Sequence, residues 1–264
     1  MKFTPFTTSA TILLIAYLAS DVQARPSHHK KTVPSCYHAG KAKFTQYWIP
    51  KQGTKDMNNN GDVFTLTGPK VDSLKTTSGN VISRVDKHTY SKCQMEGTCL
   101  LTNGDLVNLQ DGKTTFDIID PETLPFGAGA NDNPLVPFIS IAANDVPQGT
   151  ILYVKELDGL KLANGKKHNG CVRVDDQGWS FGNCQFDFFM VEYAFYDKMQ
   201  NYLPNYISAE AKHCKILDYT TKDIIHWMGR DKGHKGHKGH KGHKGHKGHK
   251  GHKGHKDKGH HGKH

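Results

Sequence analysis

The chain reads as a mainly β protein, a barrel or a sandwich, on three grounds. Short apolar or alternating runs recur through residues 36–228. Gly, Asn, Asp or Pro fills the gaps between them, as in NNNGD, TNGD, VPQGT and ANGKKHNG. Runs of that length with such turn residues between them build sandwiches and barrels. The block is also ordinary in composition, and about 190 residues can bury a substantial core in one domain.

Residues 1–24 read as a secretory signal peptide. Lys2 is followed by an apolar run from Ala10 to Leu18 and then by Val22-Gln23-Ala24, a small-residue cleavage pattern. The run is far below the roughly 20 residues that a membrane span needs. No later stretch is long or apolar enough to cross a bilayer, so no transmembrane segment is expected. Residues 25–35, RPSHHKKTVPS, form a polar lead. The expected location is secreted, extracellular or wall-associated.

The strands follow in sequence: KFTQYWI at 43–49, DVFTLTG at 62–68, NVISRV at 80–85, DLVNL at 105–109 and TFDII at 115–119. FISIAA at 138–143, TILYVKEL at 150–157, GCVRVD at 170–175 and QFDFFMVEY at 185–193 complete them. A helix is expected over about 194–202, with Phe195, Met199 and Tyr202 on one face and Pro204 as its stop. A second short helix is expected over 222–228.

Residues 231–264 are low complexity, with Lys-Gly-His repeated from Lys232 to His255. They offer no apolar side chain to bury, so the tail is expected to be disordered. The formal net charge of +10 belongs to this tail: it holds eleven Lys and two Asp, and Lys2 accounts for the remaining unit. Residues 3–230 are balanced, which argues against a nucleic-acid-binding domain with a basic surface of its own. The tail also holds His234, His237, His240, His243, His246, His249, His252, His255, His260, His261 and His264. Neutral imidazoles ligate Zn²⁺, Cu²⁺ and Ni²⁺. In acid they charge and take the tail from +9 towards roughly +20. The tail is therefore expected to bind divalent metal ions, and anionic polymers at acid pH.

Six cysteines, Cys36, Cys93, Cys99, Cys171, Cys184 and Cys214, imply disulfides in a secreted chain. Sequence alone does not choose among the pairings. Nearness favours Cys93 with Cys99 and Cys171 with Cys184, leaving Cys36 and Cys214 to clasp the ends. No C-x-x-C pair suggests zinc. G-x-S-x-G, H-E-x-x-H and P-loop motifs are absent, and GAGAND at 127–132 is only a fragment of a dinucleotide fingerprint.

The most informative stretches are NPLVPFISIAANDVPQGTILYVKEL at 133–157 and HNGCVRVDDQGWSFGNCQFDFF at 168–189. An apolar strand ends at Asp145, a Pro-x-Gly-Thr turn follows, and a Gly-containing element then spaces Asp176 eleven residues before Asp187. Asp145, Asp176, Gly178, Gly182 and Asp187 fill places in a pattern that resembles the three-aspartate domain of the membrane-bound lytic transglycosylase A family. FTQYWIP and MEGTCLLTNGDLVNL resemble its first strand and its Gly-rich inserted segment. The likeness covers about 42–192. It implies a six-stranded double-psi β-barrel over 36–228, with a β insertion at about 52–125. It also implies a cell-wall polysaccharide cleft and no required cofactor.

By the same resemblance Asp187 does the proton work. It protonates the glycosidic oxygen, then takes a proton from the sugar's own 6-hydroxyl as an anhydro ring closes. Asp176 and Asp145 support it, and Gly178 and Gly182 admit the sugar. Apart from the resemblance, Trp179 and Trp48 offer rings on which a sugar can stack, although Trp179, standing where the family has Gly, can equally block its approach. The residues themselves agree. Alternation in QFDFFM sends Phe186 and Phe188 to one face and Asp187 with Phe189 to the other. A carboxyl among aromatics is poorly solvated, and its raised pKa suits a general acid. The simpler reading of Asp176 is a turn cap, and of Asp187 a backbone acceptor. Glu96 is a lesser candidate for a second carboxylate. His168 reads as a surface-loop residue, or as one that faces the cleft. The family's second Gly is Trp179 here, its Ile is Phe181, and an upstream Gly is Cys99. These departures count against peptidoglycan cleavage, and the secreted, disulfide-rich style fits another wall glycan. A second reading makes the barrel a non-catalytic glycan-binding or structural wall module, with the metal- or anion-binding tail as its active part.

Overall fold

The computed structural model describes residues 33–110 and 112–230. The signal peptide, most of the polar lead and the 231–264 tail lie outside the described residues. The elements are α1 (Ser35–His38), β1 (Ala42–Tyr47), β2 (Lys55–Met57), β3 (Val63–Thr65), β4 (Asp72–Lys75), β5 (Val81–Val85) and α2 (Lys87–Glu96). Then come β6 (Thr98–Leu100), β7 (Leu106–Leu109), β8 (Phe116–Ile118), β9 (Ser140–Ala142), β10 (Ile151–Lys161), β11 (Lys167–Asp176) and β12 (Gln185–Phe189). The last are α3 (Tyr193–Met199), β13 (Tyr206–Ile207), β14 (Ala209–Ala211) and α4 (Lys222–Trp227).

One sheet runs β13-β1-β12-β9-β11-β10-β14. Its two edge strands are separated in the chain by Ser208 alone, so one bent segment pairs with β1 on one side and β10 on the other. The sheet thereby nearly closes on itself as a barrel of six strands. Glu156 of β10 holds the bend: it accepts from the Ser208 N–H at 3.0 Å and from its hydroxyl at 2.7 Å. The pairs β1·β12 and β9·β11 are parallel, while β12·β9 and β10·β11 are antiparallel. This is the expected double-psi barrel. Phe44, Ile141, Leu152, Val154, Val172, Val174, Phe186 and Phe188 fill its interior and are buried. Each contributes on the order of 1.5–3 kcal/mol.

The segment from β2 to β8 adds small two- and three-stranded sheets. It has a core of its own, built from Leu74, Val85, Leu101, Val107 and Phe116 around Cys93 and Cys99. One expectation about helices needs correction. Helix α3 ends at Met199, and Tyr202 is 74% exposed instead of continuing the buried face. Helix α2 has no counterpart in the sequence reading. No described helix is long and apolar enough to cross a membrane.

The disulfides are Cys93–Cys99, Cys36–Cys184 and Cys171–Cys214. The expected Cys171–Cys184 and Cys36–Cys214 bridges are thus replaced, and strand register explains why. Asp176 and Asp187 are both level with Ala142 on antiparallel β11 and β12. Cys171 lies five residues to one side of that level and Cys184 three to the other, about 25 Å apart along the strands. Parallel β1 pairs Lys43 with Gln185, which sets Cys184 at the start of β1, just beyond α1 and Cys36.

Candidate functional site

A cleft of about 1160 Å³ lies between the barrel and the inserted segment. Barrel residues Thr45, Tyr47, Ala142, Asp176 and Asp187 line it on one side, and Met57, Glu96, Asn108 and Leu109 of the insert on the other. The floor is a row across four strands. Asp187 is level with Thr45 on β1 and with Ala142 on β9, and Ala142 is level with Asp176 on β11. In-register residues on neighbouring strands share a face, so the two carboxyls project together with one methyl group between them. Two strand spacings put their Cα atoms about 10 Å apart.

A β-bulge aims Asp176. Val174 pairs with Ile141, but the residue level with Ala142 is Asp176, so β11 carries one extra residue there. The neighbouring Asp175 turns inward, where it pairs with Arg173 and accepts from the Ser140 hydroxyl. Gly129 lies against this point, and a side chain there would strike the Asp175 carbonyl. The loop of GAGAND is therefore a wall of the cleft beside Asp176.

Burial pushes Asp187 up to about 7; the Glu96 and Asp176 charges add to this, while Thr45 and Lys43 offset it. Its Oδ1 is buried with no hydrogen-bond partner. Burial pushes Asp176 up to about 6, against the Gln177 N–H, which donates to Oδ1 at 2.8 Å, the nearby Tyr47 hydroxyl and the Ala130 N–H. Burial also raises Glu96, at the end of α2, against the opposing effect of Lys92. Lys92 is 2% exposed and pairs with Glu96 at 2.6 Å and with Asp56 at 3.1 Å. Trp48 Nε1–H donates to the same Asp56 at 3.1 Å.

The structure gathers Asp187, Asp176, Glu96, Gly178, Trp179 and Trp48 in the cleft lining and leaves Asp145, Gly182 and His168 out of it. Asp145 is not in its lining. One of its oxygens accepts from the Tyr37 hydroxyl at 2.6 Å and the other from the Cys184 N–H at 2.8 Å, so it staples the loop before β12. Trp48 lines the wall but is 5% exposed. Tyr196 stacks on it at 5.0 Å and Lys92 lies 5.1 Å from its ring centre, so no open face is left for a sugar. Gly182 is exposed outside the lining, with open space where a Cβ would be.

His168 is neither a surface nor a cleft residue. It is 1% exposed, its Nδ1 accepts from Gly170 N–H, and its Nε2 donates to the Phe138 carbonyl at 2.8 Å. Burial pushes its pKa down to about 4, so it stays neutral. Trp179 is 58% exposed with Lys113 Nζ 4.6 Å from its ring centre. Asn144 fixes its loop by accepting from the Gly178 N–H and donating to the Gly178 and Phe181 carbonyls. A Cβ on Gly178 would strike the Phe181 ring, which explains that glycine.

Among the described residues one group has metal-like spacing, Cys36, Asp145 and Cys184. Its two sulfurs are joined to each other, so it offers no thiolate.

No family model and no curated protein matches the chain. Solved structures of lytic transglycosylases are similar to it. Escherichia coli MltA with bound chitohexaose has a TM-score of 0.40 at 14% identity, covering 64% of this chain and 72% of that one. The membrane-bound lytic murein transglycosylase from Agrobacterium tumefaciens has a TM-score of 0.40 at 11% identity, with the same coverage. LtgG of Burkholderia pseudomallei has 0.34 at 16%, covering 63% and 69%. The barrel assignment rests on the strand order described above.

Proposed function

We propose that the protein is a secreted, lytic-transglycosylase-like enzyme that acts on a cell-wall polysaccharide through one catalytic carboxyl, Asp187. The observation that carries this reading is the carboxyl itself, facing a long polar cleft and raised to about 7 by burial. A group that holds its proton near neutrality, and can also release it, suits both halves of the reaction. Asp187 donates its proton to the glycosidic oxygen as the bond to the anomeric carbon breaks. The carboxylate so formed takes the proton of the 6-hydroxyl as that oxygen bonds to the anomeric carbon, which restores the acid and leaves an anhydro sugar. Asp176 keeps the local field negative, and Trp179 offers an exposed ring at the rim.

The test is mass spectrometry of soluble products after the mature chain meets peptidoglycan, chitin, chitosan and glucuronan. Anhydro sugars are expected from one of the first three; glucuronan, which has a carboxylate in place of the 6-hydroxyl, cannot close the ring and serves as the control. No product from any, in acid or at neutral pH, would overturn the reading.

The tail adds a second proposed activity, the binding of Zn²⁺, Cu²⁺ or Ni²⁺ through its histidines, and of anionic polymers in acid. By calorimetry the full chain is expected to take up Ni²⁺, and a chain ending at Arg230 is not.

A further inference from the structure

Among the described residues four buried side-chain polar atoms have no hydrogen-bond partner: Tyr47 Oη, Asp187 Oδ1, Asp56 Oδ2 and Arg230 Nη2. Only Tyr47 and Asp187 line the cleft. A buried polar atom left unpaired is costly, so native structures keep few of them, and those they keep call for an explanation.

Tyr47 ends β1, where the backbone and the ring are both held by β12. Its carbonyl accepts from the Met190 N–H at 2.9 Å. It is level with Phe189 on β12, and the two rings pack at 5.2 Å. The residue is 8% exposed, so the hydroxyl is held among packed neighbours instead of sweeping through solvent. Two residues along β1 from Thr45, it shares the face of the Asp187 row. Burial, reinforced by the charges of Asp176 and Asp187, suppresses its ionisation, so it remains an O–H donor. Both carboxyls lie near it, and Asp176 is placed to attract the hydroxyl proton, but no hydrogen bond of good geometry forms within the fold.

We propose that Tyr47 is a ligand-contacting residue whose Oη–H donates to a sugar oxygen seated between Asp176 and Asp187. The inference rests on the glycan reading above and adds to it a neutral donor beside the acidic pair. Asp187 Oδ1 and Tyr47 Oη then receive their missing partners from the same ligand.

Tyr47→Phe keeps the ring and its packing on Phe189 and removes only the oxygen. The full chain and this variant would be titrated calorimetrically with chitohexaose and with a glucuronan hexamer, and their melting temperatures compared. The expected result is binding about tenfold weaker with a melting temperature that is little changed, because the hydroxyl makes no well-formed hydrogen bond within the fold. A lower melting temperature would overturn the proposal by showing that the hydroxyl serves the fold. Unchanged affinity in a stable variant would overturn it alone and leave the glycan reading standing. A wild-type chain that binds neither sugar would overturn the glycan reading, and this inference with it.

Discussion

Asp187→Asn is expected to abolish glycan cleavage and at the same time to make the protein more stable at pH 8. The first effect follows from the loss of the only proposed proton donor, a loss of about 10²–10⁴-fold. The second follows from where the carboxyl sits. Burial raises it from the ordinary range to about 7. Between about pH 4 and pH 7 the folded chain holds a proton that the unfolded chain has released, so stability falls as pH rises through that window. Above it the fold carries a poorly solvated charge. The neutral amide removes that cost, and the gain, discounted for the part of the residue that meets solvent, is about 1–2 kcal/mol. That corresponds to roughly 2–4 °C per kcal/mol in melting temperature for a chain of this size. The gain should be near zero at pH 4 and full at pH 8. Thermal melts across pH, run beside the product assay, check both halves. A variant that loses activity and stability together would mark Asp187 as a structural acceptor.

Lys92→Met is expected to destabilise the fold by about 3–5 kcal/mol at pH 7. Lys92 is almost fully buried between Asp56 and Glu96. Burial disfavours its ammonium, but the two carboxylates outweigh this and hold its pKa above the ordinary value. The stem of Met replaces the packing against Trp48, so the loss isolates the charge. What remains is two carboxylates in a dry site, with Asp56 still bound to the Trp48 indole. Urea unfolding at pH 7 measures the cost. It should shrink in acid, where Glu96, already raised by burial, takes up a proton.

These expectations come from residues that were unequally legible in the sequence. The nine apolar runs all contain strands, because alternation and turn residues are local signals. The spacing of Asp176 and Asp187 was equally local, and the cleft holds both. Helix α2 escaped notice because its buried positions are Thr89, Lys92 and Cys93, which carry no apolar period. Its one sequence signal was Asp86, whose side chain caps the helix by accepting from the Thr89 N–H at 3.0 Å. Strands β13 and β14 are too short for any period to show.

The cysteine pairing, the stapling role of Asp145 and the burial of Trp48 all depend on which strands become neighbours. Parallel β1·β12 pairing joins residues about 140 positions apart, and no local pattern announces it. Thr45 and Tyr47 were missed for the same reason, although their two-residue spacing in FTQYWI already put them on one face.

The central claim is that Asp187 keeps its proton close to neutrality in the open cleft. Carbon-13 NMR of the side-chain carboxyls, titrated from pH 3 to 9 with Asp187→Asn and Asp176→Asn to assign the signals, measures it directly. The expected midpoints are about 7 for Asp187 and about 6 for Asp176. Both carboxyls titrating near the ordinary value of about 4 would contradict the account, because Asp187 would then have no proton to give at the pH where a general acid is needed.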